Sequence, residues 1–283
     1  MIQRLLVALD PDADTPVAAR YAAEIAQRND GAVTGLALVN ETALRKDTAG
    51  GGIGSMHYAE KLRETRSEQL LGKARELLAA FGEQMDAAGV PHAHDHVDAG
   101  DPAAQIIENA KYHDLLVVGR TSHYYYASPE TRTHVLSQVV EAGAAPTLVV
   151  DEAHRAVEKV MVAFDGGVQA ARTLKAFAQM RPFGPVPVEL VHVRNDGDDA
   201  KRASQAILNR ACRLLTAHGF ADVTETSLVD SDKKARLLTY ADASGADLIV
   251  AGAFSKTGLK KLVFGSAVEA LLRDAKVPLF LYH

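Results

Sequence analysis

The sequence predicts an α/β protein made of two repeated, doubly wound domains, each a mainly parallel sheet with helices on both faces. Three observations carry this. Short apolar runs alternate with amphipathic stretches along the whole chain, the order that βαβ units produce. The second half repeats the first: Leu5-Leu6-Val7-Ala8-Leu9-Asp10 matches Val160-Met161-Val162-Ala163-Phe164-Asp165, and Asp114-Leu115-Leu116-Val117-Val118-Gly119 matches Asp247-Leu248-Ile249-Val250-Ala251-Gly252, a duplication visible within the chain itself. Trp is absent, and Phe and Tyr number only 8 each in 283 residues. The core must therefore be Ala, Val, Leu and Ile, as in sheets buried on both faces.

Taken in order, the first half has apolar runs at 5–9, 33–39, 115–118 and 147–150, with a weaker one at 92–97. Between them Val17, Tyr21 and Ile25 share one helical face, as do Leu70, Ala74, Leu77 and Phe81, spacings that predict helices. The second half has runs at 160–164, 188–193, 223–229, 248–251 and 279–282, and Ile207, Ala211 and Leu214 mark a helix between its second and third strands. The polar stretch 151–155 divides the chain into domains 1–151 and 156–283. Each half ends in an apolar strand that would expose an open edge if the half stood alone.

The most informative stretch follows the run 248–251. The chain breaks at Gly252, passes through a small-residue loop with Ser255, and re-enters regular structure at Gly265-Ser266, ahead of Val268, Leu271, Leu272 and Ala275 at helical spacing. Ser266 stands where a helix N-cap belongs. Strand, small-residue loop and helix N-terminus together present backbone N–H groups and a favourable dipole to an anion. The stretch reads as a phosphate site, against the plainer reading of a tight turn and a capped helix. Asp10 and Asp165 end matching strands just before a helix; Asp165 reads either as a wall for a base or ribose or as a cap for helix N–H groups.

The spacing Gly252, two residues, Ser255, nine residues, Gly265-Ser266 resembles the nucleotide motif of the universal stress proteins, Gly-x2-Gly-x9-Gly-Ser/Thr, with Ser255 in place of the second Gly. The opening Val-Ala-x-Asp, the Leu190-Val191-His192-Val193 strand end, the Asp-Leu-x-Val-x-Gly strand, Gly100-Asp101-Pro102 ahead of Ile106 and Ile107, and the closing Pro-led strand are similar as well. The resemblance covers nearly the whole chain twice, as in a tandem universal stress protein. It implies a five-stranded sheet of order 3-2-1-4-5 in each half and paired terminal strands, so that one chain imitates a dimer, alone or within a higher homo-oligomer. It also implies an adenine nucleotide, ATP or AMP with or without Mg, in the second half: Asp165 and Val193 against adenine, and Gly252, Ser255, Gly265 and Ser266 on the phosphates.

The first half departs from the motif. Gly119-Arg120-Thr121-Ser122 resembles its start, but His123-Tyr124-Tyr125-Tyr126 and Pro129 follow, and Thr133-His134 falls opposite Gly265-Ser266. A branched residue replaces the glycine that should touch phosphate, so one nucleotide per chain is expected, in the second half. A long insertion at 41–55, rich in glycine, has no equivalent later in the chain and reads as a lid, a docking arm for a protein partner, or disorder. His92, His94 and His96 alternate along a strand; three imidazoles can bind zinc, but polar side chains also blunt a sheet edge, and the edge is favoured. Of Lys256, Lys260 and Lys261, only Lys256 is a candidate for phosphate.

A net charge of −5 and a pI near 6.1 argue against a nucleic-acid partner. The single Cys212 excludes an internal disulfide or a multi-Cys zinc site. No apolar run approaches the ~18 residues of a membrane span, and no signal peptide precedes the first strand, so a cytoplasmic setting is expected. Three functions remain: a stress-response regulatory protein that binds nucleotide without fast turnover, a slow ATP hydrolase, or a module for a non-nucleotide ligand or protein. No Walker-type Gly-Lys-Ser/Thr and no paired carboxylates flank the loop, which disfavours the hydrolase. The last strand of each half lacks the Lys that phospho-Asp chemistry in a receiver domain would use.

Overall fold

A computed structural model describes residues 1–39, 56–121, 129–253 and 266–283. The first half contributes β1 (Arg4–Leu9), α1 (Thr15–Asn29), β2 (Ala32–Val39), α2 (Met56–Ala88), β3 (His92–Ala99), α3 (Pro102–Ala110), β4 (Leu115–Gly119), α4 (Pro129–Ala142) and β5 (Thr147–Val150). The second contributes β6 (Val160–Ala163), α5 (Val168–Met180), β7 (Val188–Arg194), α6 (Asp198–Ala217), β8 (Val223–Val229), α7 (Lys233–Ser244), β9 (Leu248–Gly252), α8 (Ser266–Asp274) and β10 (Leu279–Tyr282).

All the strands join one 10-stranded sheet, in the order β3-β2-β1-β4-β5-β10-β9-β6-β7-β8. Each half thus has the order 3-2-1-4-5, and its internal pairings are parallel. The terminal strands meet as expected: β10 runs antiparallel to β5, with Leu279 opposite Val149, Phe280 opposite Leu148 and Leu281 opposite Thr147. Each half covers the edge the other would otherwise leave open.

The strands are apolar at nearly every position because both faces are covered. Leu5, Val7 and Leu9 turn toward α1 and α2, while Leu6 and Ala8 turn toward α3 and α4. The same division continues in the second half, with α5 and α6 on the first face and α7 and α8 on the other. Among the described residues of α2 the buried hydrophobic ones are Ala74, Leu78, Phe81 and Met85, a helical stripe. Asp101 caps α3, accepting the N–H of Ala104 at 3.0 Å, with Pro102 in the first turn. The stretch between the halves lies over α1, where the Tyr21 hydroxyl donates to the carbonyl of Arg155 at 2.8 Å and accepts its N–H at 3.0 Å.

β3 is at the sheet edge, as its polar sequence led us to expect; the side chains of His94 and His96 lie outside the described residues, as do the insertion 41–55 and His123 to Tyr126. Among the described residues no helix is long and apolar enough to cross a membrane.

Candidate functional site

In the second half the helix after β6 crosses one face of the sheet and the helix after β9 crosses the other. The strand order therefore reverses between β6 and β9, and a crevice opens beyond their carboxyl ends. A cavity of about 630 Å³ lies there, within the usual range of roughly 300–1,000 Å³ for ligand sites. Strand ends supply Phe164, Asp165, Val193 and Gly252; α5 supplies Val168, Gln169 and Arg172, α7 Lys233 and Leu237, and α8 Val268 and Leu271.

Three of the six residues expected at the site, Asp165, Val193 and Gly252, are brought together here. Ser255 and Gly265 lie outside the described residues, and α8 begins at Ser266. Lys256, Lys260 and Lys261 also lie outside.

Asp165 combines its two readings. One carboxylate oxygen accepts the Gly167 N–H at 2.8 Å, closing the turn into α5, while the residue remains exposed along the cavity wall. Gly252 has a structural reason besides the anion reading. A Cβ on it would lie 2.6 Å from the backbone N of Ala170, so only glycine lets the first turn of α5 pack on the strand end.

Arg172, Lys233 and Val168 carry no direct signal in the sequence, and His192 stands out only within the Leu190-Val191-His192-Val193 strand end. Arg172 and Lys233 are exposed cations on different helices beside the cavity. Val168, which lines the cavity, is 69% exposed. Burial and the nearby Lys233 lower the pKa of His192, with Asp165 opposing. Its Nδ1 lies 2.8 Å from the fully buried Ser204 hydroxyl, which is itself 2.8 Å from that of Ser227. The imidazole is neutral near pH 7 and fixed in orientation.

Asp230 and Asp232 are engaged in the turn into α7. Asp232 accepts the Ala235 N–H at 3.0 Å and Asp230 that of Asp232 at 2.9 Å. The following residue, Lys233, is the one that lines the cavity.

The corresponding strand end of the first half carries buried acids. Asp10 is fully buried, whereas Asp165 is exposed. Asp14, also fully buried, reaches across the end of β4 to Thr121, and a Cβ on Gly119 would lie 2.2 Å from its carboxylate carbon.

Fold and cavity together define a tandem, doubly wound α/β protein with a ligand-sized crevice at the switch point of its second half. The Usp model, universal stress protein family, matches residues 1–151 and again 156–283, and the chain belongs to that family, which is one of stress-response proteins. It is 22% identical over 147 residues to the universal stress protein Slr1230 of Synechocystis sp., a match covering 52% of this chain and 50% of that protein; the match thus spans about half the length of that curated relative. A universal stress protein structure from Archaeoglobus fulgidus superposes with a TM-score of 0.70 at 21% identity, covering 99% of this chain and 96% of that one. A functionally unknown Pseudomonas aeruginosa protein does so at 0.61 and 15% identity, covering 99% and 92%. These structural likenesses are of fold.

Proposed function

We propose that the second half binds one adenine nucleotide, ATP or AMP, without fast turnover, and that the protein acts as a cytoplasmic stress-response regulator through its conformation and a protein partner. The observation that carries this is the cavity itself, which unites Asp165, Val193 and Gly252 at the switch point. Its chemistry suits the ligand. Val168, Val193, Leu237, Val268 and Leu271 offer apolar surface for a base, Asp165 accepts hydrogen bonds, and Arg172 and Lys233 supply positive charge for phosphates. The chain's contribution is to bind and orient.

Calorimetry tests the reading. Val193→Arg fills the cavity with a long charged side chain and is expected to abolish ATP and AMP binding. Equal affinity in wild type and variant would refute the site. Turnover of many ATP per second would favour an enzyme, and wild type that binds neither nucleotide would favour a module for another ligand.

A further inference from the structure

Arg120 follows Gly119 at the end of β4 in the first half, yet its side chain serves the second. Its Nη1 donates to the carbonyls of Leu271 and Leu272, each at 2.9 Å, and its Nη2 to that of Val277 at 2.8 Å. Leu271 and Leu272 lie in the last turn of α8, where the dipole favours a cation; the Leu271 carbonyl also accepts the Ala275 N–H at 3.0 Å. Asp151 pairs with the guanidinium: Nη2 donates to one carboxylate oxygen at 3.1 Å, and the other oxygen lies 2.6 Å from Nε, which itself makes no hydrogen bond. The Arg120 side chain is only 9% exposed. A planar fork with fixed donors can grip three carbonyls and a carboxylate at once; an ammonium cannot.

Leu271, whose carbonyl Arg120 holds, also lines the ligand cavity, as does Val268 one turn earlier. The backbone beside the clamp is anchored within the first half. The Arg120 N–H bonds to the carbonyl of Val150 at 2.8 Å, and Thr121 bonds through both its N–H and its hydroxyl to Asp14. The arrangement is one-sided. In the second half Ala253 takes the matching place, its N–H on the carbonyl of Tyr282 at 3.0 Å, and an alanine has no side chain to reach back.

We infer that Arg120 is a positioning residue for the second half's ligand cavity: it fixes the cavity-lining helix α8 from the first half, so that the first half sets the affinity of a site it does not contain. The ligand chemistry rests on the nucleotide reading above; the positioning of α8 does not.

Two measurements on the full chain test this. ATP affinity is measured for wild type, Arg120→Met, Arg120→Lys and Gln84→Ala, the last removing a hydrogen bond to the Pro16 carbonyl within the first half. Amide exchange is followed across the same proteins. Arg120→Met is expected to weaken ATP about tenfold, within the usual range of coupling between sites, and to speed exchange selectively in 268–277. Arg120→Lys should fall between, and Gln84→Ala should bind ATP as wild type does. Unchanged affinity in Arg120→Met, or exchange rising evenly through both halves, would overturn the inference. Should wild type bind no ATP, the nucleotide reading has failed, and exchange decides alone: faster exchange confined to 268–277 supports the positioning role, and unaltered exchange there refutes it.

Discussion

The carboxylate of Asp14 receives both the backbone N–H and the hydroxyl of Thr121, at 2.7 and 2.8 Å, and does so while fully buried. One end of β4 is thereby sealed by the chain's own anion. Counting from the paired strand-end residues Asp10 and Asp165, the counterpart of Asp14 is Gln169, which lines the open cavity of the second half. The two halves share a fold and differ in what occupies the same place.

Asp14→Ala would leave the Thr121 N–H without this acceptor. The expected cost is about 1–3 kcal/mol, that of an unmet buried polar group, measured by urea denaturation. ATP stoichiometry should stay the same. A variant as stable as wild type would show that the seal contributes nothing.

The join between the halves should carry much of the chain's stability. Phe280 is fully buried on β10, opposite Leu148 of β5, with its ring 5.6 Å from that of Phe177. Phe280→Ala is expected to cost about 3–5 kcal/mol. Thermal unfolding monitored by circular dichroism checks this, and an unshifted midpoint would contradict it.

Glu189 predicts a pH dependence. Its side chain is 9% exposed. Burial pushes its pKa up, but hydrogen bonds from Tyr240, from Thr226 at 2.7 Å and from Lys159 at 3.0 Å outweigh this and hold it below the ordinary carboxylate value. A depressed folded-state pKa stabilises fully above the unfolded value, about 4.3, and that contribution is lost as pH falls through the folded value. Glu189→Gln should thus be less stable than wild type at pH 7 by about 1–3 kcal/mol. The gap should narrow on acidification below about pH 4. A gap independent of pH would place the effect in packing.

Asp165→Asn tests the cavity wall. If the carboxylate accepts a hydrogen bond from the ligand, ATP and adenosine should weaken together by about tenfold, or about 1.4 kcal/mol. Loss of ATP binding alone, with adenosine unaffected, would move Asp165 to the phosphate end.

Strands, duplication and the meeting of terminal strands were legible because a sheet buried on both faces writes itself as apolar runs, as in Leu115 to Val118. The position of the cavity was legible from Asp165, since strand ends follow from the same runs; Val193 was named only through the family resemblance. Arg172 and Lys233 were not, because a helix surface cation has no pattern until the helix is docked. Nor was the Asp14 seal, formed between residues 107 positions apart, or the grip of Arg120 on Leu271, 151 positions away. Gly252 was legible as a required glycine but only partly for its reason, since its contact with Ala170 depends on how α5 leaves the strand.

Native mass spectrometry of the full chain, as purified and after addition of ATP, tests the nucleotide reading most directly. The account predicts one adenine nucleotide per chain, none on Val193→Arg, and one still on Leu38→Arg, the matching position of the first half. Two nucleotides per chain, or one lost only on changing Leu38, would contradict it.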